Sequence, residues 1–238
     1  MFSNIILDVL HLAIPCTCCV CGSLRPYTPI PVCTMCEVSA PFTNMWMQHD
    51  NPMRQSLLGL LPIEQASAMF WYVEGSPWRK LIHRIKYDNR WSMGYHMGLW
   101  YGSMLKQSGL YDDVDMVVPV PLHPLRQMKR GYNQSAYIAE GIAKQLGVEL
   151  VTSAVMRTRY NRSQTTRSHS ERWSNVEGIF SVWRKKKLQG KHLLLVDDVF
   201  TTGATIISMG NTILRSVEDV RLSVVVLGVS RHSLHIKE

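Results

Sequence analysis

Leu193-Leu194-Leu195-Val196-Asp197-Asp198-Val199-Phe200-Thr201-Thr202-Gly203-Ala204-Thr205 is the stretch on which the fold turns. An apolar run of strand length ends in two adjacent carboxylates, and a loop of Thr, Gly and small residues then opens a helical pattern at Ile206. Leu193 to Val196 are apolar throughout, as a buried parallel strand requires, so Asp197 and Asp198 are predicted at its carboxyl end, where open α/β sheets bind ligands. Two carboxylates there can accept hydrogen bonds from vicinal ribose hydroxyls. Thr201 to Thr205 offer backbone N–H groups and three hydroxyls at a helix N-terminus, and Gly203 lets the main chain come close to a phosphate. Each hydrogen bond to a charged group contributes roughly 1.5–3 kcal/mol, so four or five together anchor a dianion. The alternative is a strand-to-helix turn whose Asp and Thr residues only cap. Capping alone does not need both acids and all three threonines.

Working outward, 238 residues with 46% hydrophobic and 18% charged can bury a proper core, and length alone allows one domain or two. No apolar run reaches the roughly 18 residues of a membrane helix, so no membrane span is expected. Met1 to Pro15 is apolar but carries Asp8 and His11 and lacks a basic leader, which argues against a secretion signal and for a cytoplasmic protein. Ala13-Ile14-Pro15-Cys16 faintly suggests a lipoprotein cleavage site, in which Pro15 sits badly. Phe2 to Leu12 reads instead as a short amphipathic helix with Ile5, Ile6, Val9, Leu10 and Leu12 on its apolar side.

All six cysteines precede residue 37. Cys33 and Cys36 form one C-x-x-C knuckle; Cys18 with Cys21, or Cys16 with Cys19, supplies the other. Paired knuckles suit tetrahedral Zn2+, because each brings two thiolates to one side of the ion and the intervening loop folds back to complete four ligands. Four thiolates leave no open position, which makes such a metal structural. Disulfides are the competing reading, and nothing else in the chain points to an oxidising compartment.

Ser39 to Leu58 reads as a connector with little pattern. Ala66 to Val73 reads as a strand, Ser76-Pro77 caps a helix through Lys86, and Trp91 to Lys106 is a second helix whose Met93, Met97, Trp100, Tyr101 and Met104 form a core stripe. Gly131 to Gly147 reads as a helix starting near Asn133. Arg157 to Asn175 is polar and without apolar period, a long loop, and Arg184 to Lys187 a surface turn.

Charge is concentrated. From Arg126 to Lys191 there are fourteen Lys and Arg against four Glu, a local +10, while the whole chain carries only +8. A basic rim of this kind speeds capture of a polyanion, and the same field attracts nucleic acid. Aromatics such as Tyr132, Tyr160 and Trp173 are interleaved with this stretch, too sparsely for a stacking platform.

Leu193 to Thr205 resembles the phosphoribosyl-pyrophosphate (PRPP) motif of type I phosphoribosyltransferases, with Phe200 where a smaller aliphatic is usual. The cysteine cluster, Tyr72 with Gly75, Lys86-Tyr87, Pro119-Val120-Pro121-Leu122-His123, Arg130-Gly131-Tyr132-Asn133-Gln134, Gln164, Arg172, Asn175 and Phe180 narrow the resemblance to the ComF family. The glycine after Cys21, as in ComF knuckles, favours Cys18, Cys21, Cys33 and Cys36 as the metal ligands.

The resemblance implies a doubly wound, mainly parallel α/β sheet over residues 59–238, preceded over residues 1–58 by a zinc-ribbon-type module and connector, with a variable hood. It also implies PRPP bound with Mg2+, and a phosphoribosyl group passed to an acceptor with release of pyrophosphate. Asp115 to Pro121 becomes the first core strand, and Val120 to Gly131 its pyrophosphate loop, stiffened by Pro119 and Pro121. Pro119, Val120, Arg126 and Arg130, with Thr201, Thr202, Gly203, Ala204 and Thr205, would bind PRPP. Asp197 and Asp198 would hold the ribose, and Gln164 and Arg172 would come from a loop closing over it. His123 is a structural or phosphate contact rather than a proton donor. The family's founding members are associated with competence and DNA uptake, so single-stranded DNA or competence machinery are partners it implies. Two other readings remain beside catalysis: a DNA-uptake factor, and a PRPP-sensing regulator that breaks no bond. Neither the acceptor nor an oligomeric state is written in these motifs.

Overall fold

A computed structural model describes residues 16–26, 28, 30–87, 91–158, 178–234 and 236. The expected helix at Phe2 to Leu12 and nearly all of the loop carrying Gln164 and Arg172 lie outside them.

The described elements are α1 (Thr34–Val38), a 3-10 turn (Met45–Met47), α2 (Pro52–Leu57), β1 (Ala66–Trp71), α3 (Pro77–Tyr87), α4 (Trp91–Ser108), β2 (Met116–Pro119), α5 (Pro124–Arg130), α6 (Gln134–Leu146), β3 (Glu149–Leu150), β4 (Val155–Arg157), β5 (Phe180–Val182), α7 (Lys185–Leu188), β6 (His192–Phe200), α8 (Ala204–Ser216), β7 (Arg221–Val229) and a closing 3-10 turn (His232–Leu234). Five strands form one parallel sheet in the order β1-β7-β6-β2-β3, and β4 and β5 pair antiparallel apart from it. The chain leaves β2 outward to β3 but leaves β6 the other way to β7. The crevice beyond the carboxyl ends of β2 and β6 is therefore a topological switch point, where doubly wound sheets hold ligands.

Both faces of the sheet are covered, which is why its strands are apolar throughout. Leu193, Leu195, Val224 and Val226 pack with Ile206, Met209 and Ile213 of α8 on one side. Leu194, Val196, Val225 and Leu227 pack with α3, α4 and α6 on the other. The Met and aromatic stripe of α4 lies in this second layer, with Met97 and Tyr101 fully buried.

The helix α4 crosses α6 at contact distance. A Cβ added at Gly98 would stand 2.2 Å from the Ile138 carbonyl oxygen, and one at Gly141 would stand 2.3 Å from that of Tyr95. Backbone cannot yield as a flexible side chain does, so Gly98→Ala is expected to cost about 3 kcal/mol. Gly94→Ala on the same helix meets nothing closer than 3.4 Å and should be neutral or slightly stabilising. Urea midpoints of the two variants check this pair; equal midpoints would contradict the close crossing.

Several elements depart from the sequence reading. The strand β6 runs to Phe200, two residues beyond the acidic doublet, because β7 continues to Val229 and keeps pairing with it. The loop after β2 contains a helix, α5, with Pro124 at its first turn and the Nδ1 of His123 accepting from Leu125 N at 3.2 Å. His123 is thus a cap, in line with its structural reading. Arg184 to Lys187 is the surface turn expected before β6, wound as the single helical turn α7 with Arg184 at its N-cap.

The connector is also more ordered than its sequence suggests. The buried Asn51 caps α2 by accepting from Met53 N and Arg54 N, both at 3.1 Å, and donates to Ala66 O at 2.8 Å. Met45, Met53 and Leu57 join the α8-side core. Among the described residues no helix is long and apolar enough to cross a membrane.

Candidate functional site

At the switch point, Pro119 of β2 pairs with Val196 of β6, so β2 ends level with the residue before the acidic doublet while β6 runs on to Phe200. An open cavity of about 270 Å³ lies there. Asp197, Asp198, Thr201 and Thr205 line it from the β6 side, and Val120, Arg126 and Arg130 from the β2 side. Lys86, Gln134, Ser135, Tyr72 and Arg157 are also in its wall. Pro119 itself is buried at the end of its strand and does not line the cavity.

Adjoining it is a cleft of about 30 Å³ formed by Thr201, Thr202, Gly203, Ala204 and Thr205. Gly203 caps α8 in the left-handed region, φ +71°, and a Cβ on it would meet the Phe200 ring at 2.7 Å. Both facts require glycine here. Phe200, the departure from the family's pattern, is buried beneath this turn. The cleft faces the first turn of a thirteen-residue helix, the place where free N–H groups and the helix dipole favour an anion.

The two aspartates are not equivalent. Asp198 is 5% exposed, and both its oxygens are taken: Oδ1 by the Lys86 ammonium at 2.9 Å and Oδ2 by Gln134 Nε2 at 2.7 Å. Asp197 is half-buried, and the described donors that reach it, Ser135 Oγ and the Asp198 N–H, both at 2.9 Å, end on Oδ1. Burial, and then repulsion from Asp198, push the Asp197 carboxyl up to about 7. Burial works against the Lys86 ammonium, but its pairing with Asp198 more than offsets this and holds its pKa above the ordinary lysine value.

Asn133 caps α6 by accepting from Ser135 N at 3.2 Å and donates to the Val120 carbonyl at 3.0 Å. That pair of bonds fixes the loop after β2 against the helix that presents Gln134 and Ser135. Arg130 donates to Gln134 Oε1 at 2.9 Å and continues the network to the rim. Arg157 was legible only as the start of a polar loop. It stands instead on β4 in the cavity wall, its Nε buried and without a partner among the described residues, its pKa lowered by burial and then by Arg126. Two guanidiniums held together in this way favour an anion between them.

Lys86, Gln134, Ser135 and Arg157 had no assigned role in the sequence reading. The shared signal that could have found the first three is their place in the KY and RGYNQS segments beside the same site. No local signal marks Arg157, because a three-residue strand is too short to show a period.

At the N-terminus, Cys18, Cys21, Cys33 and Cys36 bring their sulfurs within 4.8 Å of one another, leaving Cys16 and Cys19 outside the group. Gly22 in the left-handed region and the Gly22 N–H bond to Cys18 O at 2.9 Å shape the first knuckle, and Cys33 begins α1 for the second. All six cysteines are free thiols. Cys21 and Cys33 stand 3.7 Å apart, close to the roughly 3.8 Å edge that four thiolates about 2.3 Å from a tetrahedral ion would have. Ser23, first through its hydroxyl, holds the Cys21 thiol down at about 6, whereas burial and the neighbouring thiols push Cys36 up. Four sulfurs this close cannot all ionise without a cation, and the group could hold a metal such as zinc.

A phosphoribosyl transferase domain family model matches residues 133–235. The DNA utilization protein YhgH of Escherichia coli (strain K12) is 31% identical over 144 residues, covering 59% of this chain and 62% of that protein. Competence protein ComFC of Bacillus subtilis (strain 168) is 27% identical over 190 residues, 79% of this chain and 68% of that one. Among solved structures, glutamine PRPP amidotransferase from B. subtilis, complexed with ADP and GMP, is 20% identical with a TM-score of 0.39, over 60% of this chain and 30% of that chain. The chain thus spans about 62% of the length of the DNA utilization protein it matches. With a phosphoribosyl transferase domain match over residues 133–235, and competence and DNA-utilization proteins as relatives, the chain is similar to the ComF family of phosphoribosyltransferase-like proteins.

Proposed function

We propose that the chain binds PRPP with Mg2+ and transfers its phosphoribosyl group to an acceptor, releasing pyrophosphate. The observation that carries this reading is the carboxylate of Asp197 at the switch point, between a phosphate-sized cleft on one side and Arg126, Arg130 and Arg157 on the other. The cleft of Thr201 to Thr205 suits the 5′-phosphate, the three arginines suit the pyrophosphate, and Asp197 suits the ribose hydroxyls. Ala204 and Val120 would contribute backbone rather than side chain.

In the transfer, the bond from the anomeric carbon to pyrophosphate breaks, and the acceptor's lone pair makes the new bond to that carbon. Positive charge developing on the sugar is stabilised by the fixed Asp197 carboxylate, and the leaving group's charge by the guanidiniums. Mg2+, for which hard carboxylate and phosphate oxygens are fitting neighbours, would supply further neutralisation of the leaving group. Gln164 and Arg172 complete the proposal as residues of the closing loop. At the N-terminus, zinc held by Cys18, Cys21, Cys33 and Cys36 would be structural, in a module with its connector over residues 1–58, ahead of the phosphoribosyltransferase domain at 59–238.

Isothermal titration with PRPP and Mg2+, followed by assays for pyrophosphate release across bases, ammonia and nucleosides, tests the reading. Binding with turnover is the expected result. Magnesium-dependent binding without pyrophosphate release from any acceptor would select the sensing regulator instead, and absence of binding would remove both.

The pH dependence has a definite sign. Asp197 must be ionised to accept from ribose hydroxyls, so affinity should rise as pH climbs through about 7, with uptake of the ligand releasing a proton near that pH. The sign for the free protein is opposite. A carboxyl whose folded pKa is raised contributes stability that is full below its ordinary value of 3.8 and is lost as pH rises through about 7. Titrations in buffers of different ionisation enthalpy measure the proton count, and a flat profile from pH 6 to 8 would contradict the role of Asp197.

A second reading, handling of single-stranded DNA, is favoured by one feature of the rim. Tyr87 (57% exposed) lies under the Arg130 guanidinium at 4.8 Å and against His83 at 4.4 Å, and Trp91 (49% exposed) packs at a tilt against Tyr137 at 5.2 Å. Lys144 stands over Tyr95 at 5.8 Å. Folding therefore assembles an aromatic and basic surface from α3, α4 and α6 that no linear stretch contains. Steep loss of DNA affinity with added salt, with slope set by the phosphates neutralised, would support this reading, and a salt-independent affinity would count against it.

A further inference from the structure

Among the described residues, Lys86 is the one cation that the fold places directly on the acidic doublet, and three separate contacts hold the helix turn that carries it. The Tyr132 hydroxyl donates to the Ile85 carbonyl, Arg84 donates to the Cys19 carbonyl at 3.2 Å, and Arg130 approaches the Tyr87 hydroxyl at 3.4 Å. The first of these is buried. The ammonium is therefore positioned by the scaffold and does not swing on a free stem. It keeps one donor on Asp198 Oδ1 at 2.9 Å while still lining the cavity. With Gln134 on the other oxygen of Asp198, the negative charge that the doublet can offer the cavity is that of Asp197 once ionised.

Two carboxylates facing a polyphosphate need two cationic charges nearby for close approach, and a divalent ion beside each is the usual way to supply them. Here one of the two acids is already neutralised by the protein. Mg2+ keeps most of its water and needs only one or two carboxylates together with the substrate's phosphates, so the remaining oxygen of Asp197, directly or through a water, is a sufficient protein contribution. We propose that Lys86 is a resident cation standing in for a second divalent metal, so that the ligand complex of this site holds a single Mg2+. Asp198 is then a positioning residue that sets the Lys86 ammonium, and Asp197 alone faces the ligand. The inference rests on the PRPP reading.

Mn2+ serves as the spectroscopic probe of the count. Full-length protein saturated with PRPP is titrated with Mn2+, and tightly bound ions per chain are counted from the loss of the free-ion electron paramagnetic resonance signal. One bound Mn2+ is expected in the wild type; two would overturn the proposal without recourse to any variant. Lys86→Gln is expected to weaken PRPP binding about ten- to a hundredfold at low Mg2+, the loss of one interaction with a charged group. Raised Mg2+ should recover much of that loss as a second ion takes the vacant place, and the Mn2+ count should rise to two. A Lys86→Gln protein that keeps its fold by circular dichroism but keeps wild-type affinity, or loses affinity with no recovery and one Mn2+, would refute the role. Should that variant not fold, Lys86→Arg preserves the charge and must hold one Mn2+, and a count of two in it would refute the role as well. Failure of the PRPP reading looks different: the wild type then binds no PRPP at any Mg2+ concentration.

Discussion

Replacing Cys33 and Cys36 together by serine is expected to strip the chain of zinc, from one ion to none, and to unfold the N-terminal module. The four sulfurs are held within 4.8 Å by two short knuckles, and few other contacts bind those knuckles to each other. Ion binding of this kind is worth on the order of 10–16 kcal/mol, far more than so small a module derives from its own burial. The loss should also spread. Cys18 and Val32 are buried in the layer that contains α3 and α4, and Arg84 of α3 bonds to the carbonyl of Cys19. A lowered thermal midpoint of the whole chain is therefore expected alongside the lost metal. Elemental analysis of purified protein decides the matter: unchanged metal content in the double variant would refute the assignment of these ligands. Serine at Cys16 and Cys19, which lie outside the sulfur group, should leave the metal in place.

The second large effect concerns the acidic doublet. Asp197→Asn should weaken PRPP binding by about a hundredfold or more, since at least two hydrogen bonds to a charged group lose their charge, while the free protein stays folded. Removing a carboxyl whose ionised form is disfavoured by burial and by Asp198 relieves repulsion, so its thermal midpoint at pH 8 should equal or exceed that of the wild type. Asp198→Asn behaves otherwise. From the sequence alone it looks like the clean probe of the site, but Asp198 is the buried partner of Lys86 and Gln134. Its loss leaves an ammonium without its counterion and should cost about 3 kcal/mol of stability in addition to binding. Titration calorimetry and thermal unfolding of both variants separate the roles; normal PRPP affinity in Asp197→Asn would remove that residue from the site.

These expectations show where local pattern ends. The apolar run before Asp197, the Gly203 turn and the helix beyond it follow from periodicity and backbone sterics, which are properties of neighbours in the chain. The KY segment, by contrast, reads only as the end of a helix, although Lys86 reaches the doublet more than a hundred residues away. Likewise the rim aromatics are dispersed over α3, α4 and α6, so a count along the basic stretch undervalued them. Arg157 was assigned to a loop, and became part of the cavity wall because β4 found a partner in β5 across the residues between them.

The parallel α/β core, the Thr and Gly turn after β6 and the two C-x-x-C knuckles are legible in the chain's local pattern, because each depends on spacing along a few consecutive residues. Long-range packing selected the cysteine pair that joins Cys33 and Cys36, made Asp198 the partner of Lys86, and brought α4 and α6 together at glycine. Those outcomes are settled by burial, charge pairing and backbone contact between segments far apart in the chain, and no local pattern encodes such distances.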